Sequence, residues 1–149
     1  MLDFMRGYLV KRSEELEQRL AALISGLSDA DLNWRPNQAS NSIANLTVHI
    51  AGHIRQRVGS GMRDVPYVRD REAEFSTSLN LDKSSLLATV SEVFAMLEGT
   101  VRQLSDSELL MEQTVSGNRK MTNLEILLRG IEHYSEHLGQ MIYIAKQRK

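Results

Sequence analysis

The fold is decided near the C-terminus, by the ten residues Ile131–Gln140, which read IEHYSEHLGQ. His133 and His137 are four positions apart, so on an α-helix their imidazoles lie on one face, about 40° apart around the axis. The other two histidines of the chain, His49 and His53, have the same spacing far upstream. We expect a fold that brings the second pair opposite at least one member of the first, so that three or four imidazoles converge on a divalent metal.

The composition is that of one ordinary globular domain. The chain has 149 residues, of which 42% are hydrophobic and 25% are charged, which predicts a single domain over residues 1–149 with its own core. The net charge of -1 gives no indication of a nucleic-acid or membrane-surface partner. Because the chain has no cysteine, a metal would be held by imidazole, carboxylate or water. The N-terminus shows no secretory hydrophobic segment and no apolar run is long enough to span a bilayer, so we expect a cytoplasmic protein.

Apolar residues at helical spacing predict an all-α protein with four long helices. The predicted helices cover residues 2–26, 41–62, 82–104 and 122–146. The stretches Ser105–Glu108 and Thr122–Glu125 match the capping box, which is typical of a helix start. A Gly-Asn pair predicts an irregular hairpin over residues 114–120. No histidine lies on the third predicted helix, which we therefore expect to be a supporting one.

Two features leave alternatives open at this stage. Residues 69–75, RDREAEF, predict a short helix whose alternating charges pair on the surface, and the alternative is a lid over the site. Gly130 and Gly139 lie inside the fourth predicted helix, where glycine lowers helix stability. They are tolerable if they let a neighbouring backbone or a ligand approach closely.

Three stretches, taken together, resemble the DinB/YfiT-like superfamily of metalloenzymes. They are LSDADLNWRP at 27–36, SIANLTVHIAGH at 42–53 and HYSEHLGQ at 133–140. The charged segment 69–75 is similar to a DinB-like subgroup of uncharacterised function. The resemblance covers nearly the whole chain and implies a four-helix bundle of up-down-down-up topology. Together with the broad apolar surface of the fourth predicted helix, it predicts a homodimer.

The resemblance also implies a three-histidine site for a divalent transition metal such as zinc or nickel. By position, His49 matches the ligand on the second helix of the superfamily, and His133 and His137 match the pair on its last helix. His53 is additional to this triad and is a candidate fourth ligand, supporting group or site-lining catalytic base. Some members use the metal to activate a low-molecular-weight thiol, which implies a thiol-dependent S-transferase.

The same residues are compatible with other functions. A non-catalytic metal-binding dimeric bundle is one alternative, and a hydrogen-bonded histidine core is its metal-free form. The segment His133–His137 also fits the pattern H-x-x-E-H, in which Glu136 would be the general base of a metal-dependent hydrolase. A di-iron bundle is disfavoured because it needs paired Glu-x-x-His motifs. The last predicted helix has three glutamates, and none has a histidine three residues on.

Overall fold

The computed structural model describes residues 1–149 and contains the four predicted long helices. In chain order the elements are α1 (Leu2–Ser25), α2 (Asp29–Asn33), α3 (Ile43–Ile54), a π-helical segment (Arg55–Ser60), α4 (Gly61–Arg63), α5 (Arg71–Glu74), α6 (Lys83–Gln103), α7 (Asp106–Leu110), β1 (Glu112–Val115), a 3-10 turn (Ser116–Asn118), β2 (Arg119–Thr122) and α8 (Asn123–Lys146). With α3 continued through the π-helical segment and α4, the ends of the long helices differ from the predicted ones by at most two residues. None of the helices combines the length with the hydrophobicity that a membrane crossing requires.

Side-chain hydrogen bonds show the direction of each long helix. They join Arg6 to Leu104, Arg55 to Glu92, Arg63 to Gln103, and Arg148 to Asp31. The first connects the start of α1 with the end of α6, so these helices are antiparallel. In the next two, the residue numbers rise together, from Arg55 to Arg63 on one helix and from Glu92 to Gln103 on the other. The helices α3 and α6 are therefore parallel. The last places the end of α8 beside α2, which follows the end of α1, so α1 and α8 are parallel. The topology is up-down-down-up, as predicted.

One apolar core lies between the four long helices. Each contributes side chains that are fully buried, for example Leu20, Ile54, Phe94 and Met141, and their removal from water is the main source of stability. The helix α6 packs on α1 and on α3, and α8 packs on the same two helices. As a result α3 and α8, the two helices that carry histidines, lie side by side.

Local sequence signals determine where the helices begin. Ser42, Ser105 and Thr122 each form a capping box, in which side chain and backbone of the first turn bind each other reciprocally. Asp82 caps α6 by accepting from a backbone N–H of the first turn. The box at Thr122 positions the start of α8 and therefore places its histidines along α3.

The predicted hairpin is present and packs beside the start of α8. Its strands pair antiparallel, with Val115 opposite Arg119. The turn places Gly117 at φ 74° and Asn118 at φ 56°, a left-handed conformation that glycine and asparagine adopt most easily. The hairpin and the adjoining helices form a second, small core from Met62, Val115, Met121 and Ile126. The hairpin is thereby held in place as one wall of the cavity described below.

Candidate metal centre

The structure brings together the three histidines that the resemblance singled out as ligands. One ring nitrogen each from His49, His133 and His137 lies within 4.8 Å of the others. The Nε2 atoms of His49 and His133 are 3.0 Å apart. The ring of His137 lies 4.8 Å from that of His49 and 4.4 Å from that of His133, measured between centroids. The cluster forms because α3 and α8 are antiparallel neighbours that present their histidine faces to each other.

A buried carboxylate orients His49. The Oε1 atom of Glu74 accepts a hydrogen bond of 2.9 Å from the Nδ1 of His49, and Arg69 binds both carboxylate oxygens at 2.8 Å. Arg69 also lies 3.2 Å from the Nδ1 of His49. Both groups, however, make shorter contacts with the Oε1 of Glu74. We therefore assign both the Nδ1 of His49 and the guanidinium of Arg69 as hydrogen-bond donors to this oxygen. With its proton on Nδ1, the ring of His49 keeps the lone pair of Nε2 for the cluster. This is the carboxylate–histidine pairing common around metal ligands.

Gly52 makes room for this carboxylate. It lies on α3 three residues after His49, and a Cβ at this position would come within 2.0 Å of the Oε2 of Glu74. Any larger residue would push the carboxylate away from the ring it orients. A glycine inside a helix lowers helix stability, and here it lets a charged group from another segment reach the helix surface.

Residues 69–75 form a fixed wall of the site. The expected pairing of their charges is present between Arg69 and Glu74, but its expected place on the surface is wrong for Glu74, which is only 6% exposed. Asn45 donates to the backbone oxygen of Glu74 at 2.9 Å, and Arg35 donates to that of Phe75 at 3.1 Å. These bonds tie the segment to α3 and to the loop before it. It covers the site, as the lid alternative expected, but is anchored on both sides.

His137 offers the clearest opening for a metal. Its Nδ1 lies 2.8 Å from the Oε1 of Gln140, an acceptor, so Nδ1 carries the proton and Nε2 holds a lone pair. That Nε2 is buried and has no hydrogen-bond partner, which is costly for a polar atom. Two nitrogens on one tetrahedral ion lie about 3.4 Å apart, so the cluster needs to contract by no more than about 1.4 Å from its widest separation of 4.8 Å. The donor set therefore fits a divalent transition ion.

His53 lies beside the cluster and has a different partner. Its Nδ1 is 2.8 Å from the hydroxyl of Tyr134, and its ring centroid is 5.0 Å from that of His133. Burial raises the pKa of Tyr134, so the phenol keeps its proton. Gly130 explains how Tyr134 fits, since a Cβ there would lie 3.1 Å from the hydroxyl oxygen. His53 is not in the group of three converging nitrogens, and its catalytic role stays a prediction.

The surroundings of His49, His53 and His133 lower their pKa values and so favour the neutral form, which is the form that binds metals. Burial, then the positive charge of His133 and Arg69, lowers the pKa of His53 to about 3. Burial, then the neighbouring histidines, lowers the pKa of His133 to about 4. Burial also lowers the pKa of His49, although its hydrogen bond to Glu74 acts in the opposite direction.

A cavity of about 450 Å³ opens onto the cluster. His49, His53 and His133 line it together with the hairpin and the start of α8. The sequence did not indicate its arginines, nor the pairing of Glu74 with Arg69. The one signal for that pairing was Gly52, an unexplained glycine one turn after a candidate ligand.

The fold is shared with solved structures of three other proteins. YfiT from Bacillus subtilis, described as a probable metal-dependent hydrolase with an unusual four-helix bundle topology, is similar with a TM-score of 0.77 and 16% identity, over 96% of this chain and 87% of that one. A conserved protein from Enterococcus faecalis is similar with a TM-score of 0.79 and 15% identity, over 94% of both chains. A DinB-like protein from Bacillus cereus has a TM-score of 0.73 and 15% identity, over 94% of this chain and 90% of that one.

The chain belongs to the family DUF1572, described as protein of unknown function, whose model matches residues 3–149. No curated protein matches the sequence.

Replacing Gly52 with alanine should disconnect His49 from its carboxylate. The new methyl group would overlap the Oε2 of Glu74, so we expect loss of the slowly exchanging Nδ1 proton of His49 in NMR spectra. The control is Gly99→Ala, because a Cβ at Gly99 meets nothing within 4 Å and alanine favours the helix. An unchanged His49 signal in Gly52→Ala would show that the carboxylate does not hold the ring.

Acidification should destabilise the protein through these histidines. A lowered pKa in the folded state means that the unfolded chain takes up protons first, so the stability is complete above about pH 6.5 and is lost as the pH falls towards 4 and 3. We expect urea denaturation in the presence of a chelator to show a loss on the order of 1 kcal/mol per pH unit for each histidine. His53→Gln should have a measurably shallower slope. Equal slopes for wild type and variant would contradict the shift at His53.

Proposed function

We propose that this chain is a metal-dependent enzyme whose divalent ion is held by His49, His133 and His137. The observation that carries the proposal is the convergence of three imidazoles, with the Nε2 of His137 buried and without a partner. Three protein ligands leave a coordination position for water or substrate, which is typical of catalytic rather than structural sites. The cavity lined by His49 and His133 provides access to that position.

The surrounding residues support this role. Glu74 and Gln140 hold the Nδ1 protons of His49 and His137, so each ring keeps its Nε2 for coordination. Phe75 packs 4.7 Å from the ring of His49 and shields it from solvent. When bound, an ion would supply Lewis-acid activation and lower the pKa of a water or thiol beside it. Imidazole ligands suit zinc and nickel alike, and the resemblance favours these two.

Two reactions fit such a centre. The resemblance supports thiol-dependent S-transfer, in which a low-molecular-weight thiol would serve as cosubstrate because the chain has no cysteine. Hydrolysis is the second candidate, supported by the description of YfiT as a probable metal-dependent hydrolase. It is also supported by Glu136, which lines the cavity and could accept a proton from the attacking water.

A non-catalytic centre is the remaining alternative. A closed shell of four imidazoles would favour it, but the Nδ1 of His53 is engaged with Tyr134. In our proposal His53 instead lines the cavity, where its other ring nitrogen can contact a bound molecule. The homodimer predicted from the apolar surface of α8 is part of the same proposal and needs a solution measurement.

The metal centre predicts how each histidine variant behaves. Purified protein should bind about one divalent transition ion per chain, and His133→Ala should abolish binding. His49→Ala should lose most of the metal affinity in competition with a chelator, whereas His53→Ala should keep most of it, because its nitrogens lie outside the converging group. Unchanged metal content in His133→Ala, measured by elemental analysis, would refute the centre. Equal losses in the His49 and His53 variants would indicate a four-histidine shell.

Replacing Glu136 with glutamine should separate the two reactions. If the enzyme is a hydrolase, loss of this base should lower the hydrolysis of an activated ester by about 10²- to 10⁴-fold while the ion stays bound. If it is a transferase, the metal should promote conjugation of a low-molecular-weight thiol with a chromogenic electrophile, and Glu136→Gln should leave that rate unchanged. Glu92→Gln, on the exposed face of α6 and outside the cavity, is the control.

A further inference from the structure

The cavity beside the histidines is strongly basic. Five arginines line it: Arg57, Arg69, Arg71, Arg119 and Arg129. They belong to the π-helical segment, to residues 69–75 (the wall segment), to β2 and to α8. Only two carboxylates, those of Glu132 and Glu136, line the same space. The chain as a whole carries a net charge of -1, so the positive charge is local to this cavity.

Four of these arginines have no carboxylate within ion-pair distance; only Arg69 is neutralised, by Glu74. Arg57 donates to the hydroxyl of Ser116 at 3.1 Å, a neutral partner. Burial, then the like charges of Arg69 and Arg119, lowers the pKa of Arg57, which agrees with uncompensated positive charge around it.

Arg119 and Arg129 have the fewest partners of the set, because Arg71, which also has no carboxylate partner, lies over the ring of Phe75 at 5.2 Å. Neither side chain forms a hydrogen bond or an ion pair with another residue of the chain. Several arginines elsewhere are paired with carboxylates: Arg6, Arg12, Arg55, Arg102 and Arg148. Seven arginines of the chain have no carboxylate partner, and four of the seven line this one cavity beside the histidines.

The remaining lining indicates the size and shape of that molecule. Val115, Met121 and Ile126 form an apolar side on the hairpin and α8. A volume of about 450 Å³ is in the range of small-molecule sites.

We infer that this cavity binds a small organic anion, with its carboxylate or phosphate group on the free arginines and a short apolar body against the hairpin. The planar guanidinium presents paired N–H donors that match either group. Bound in this way, the reactive part of the molecule would lie next to the histidines. As a substrate site the inference rests on the proposed metal centre, whereas anion binding itself depends only on the arginines.

Titration calorimetry with simple probes tests the inference. Succinate and inorganic phosphate distinguish carboxylate from phosphate recognition, and the neutral succinamide controls for the apolar body. We expect at least one of the two anions to bind equally well to chelator-treated and to zinc-loaded protein. Succinamide should not bind. Arg119→Gln and Arg129→Gln should each weaken anion binding by about tenfold. Both side chains are exposed, so the variants should fold, which circular dichroism verifies.

Arg19→Gln is the matched control, because Arg19 is exposed on α1 and does not line the cavity; its anion affinity should be unchanged. Equal binding of succinamide, full affinity in the Arg119/Arg129 double variant, or no binding of either anion at millimolar concentration would overturn the inference. So would binding that disappears with the chelator or in His133→Ala, because the anion would then be a metal ligand. If the metal does not bind but the anion does, the metal centre is wrong and the anion site stands.

Discussion

The carboxylate of Glu74 is the constraint around which the site is arranged. A charged group buried to this degree needs compensating partners, and it has them in Arg69 and His49. Because both partners bind the same carboxylate, the wall segment and α3 are joined at one point. The proton of His49 is placed on Nδ1 for the same reason. This arrangement requires glycine at position 52, because a Cβ there would occupy the space of the Glu74 carboxylate.

The topology of the bundle provides the other half of the site. In an up-down-up-down bundle the second and fourth long helices lie diagonally across the core, but here two consecutive long helices run in the same direction. This places α3 beside α8, antiparallel, so His49 lies opposite His133 and His137. The imidazoles then meet at the edge of the core, where burial lowers the pKa values of His49 and His133.

Two kinds of positive charge meet at this edge. The charge of Arg69 is neutralised by Glu74, and this ion pair is part of the structure that holds the site. The unpaired arginines face the cavity from segments that contact one another only in the folded chain, and their repulsion is tolerated because three of them remain exposed: Arg71, Arg119 and Arg129. A bound anion would relieve that repulsion. In the proposed function, three candidate metal ligands, a basic wall and an apolar side together form a reaction site rather than a structural metal site.

The helices and the spacing of the two histidine pairs could be predicted from the sequence because their causes are local. Periodicity and capping boxes involve residues three or four positions apart, and the same spacing places His133 and His137 on one face. The resemblance added the choice of His49. The partners of these residues could not be predicted in this way, because Glu74 lies 25 positions from His49 on a helix of four residues, too short to show a period. The charges of residues 69–75 looked alike in sequence, and only the packing of this segment on α3 separated the buried Glu74 from its exposed neighbours.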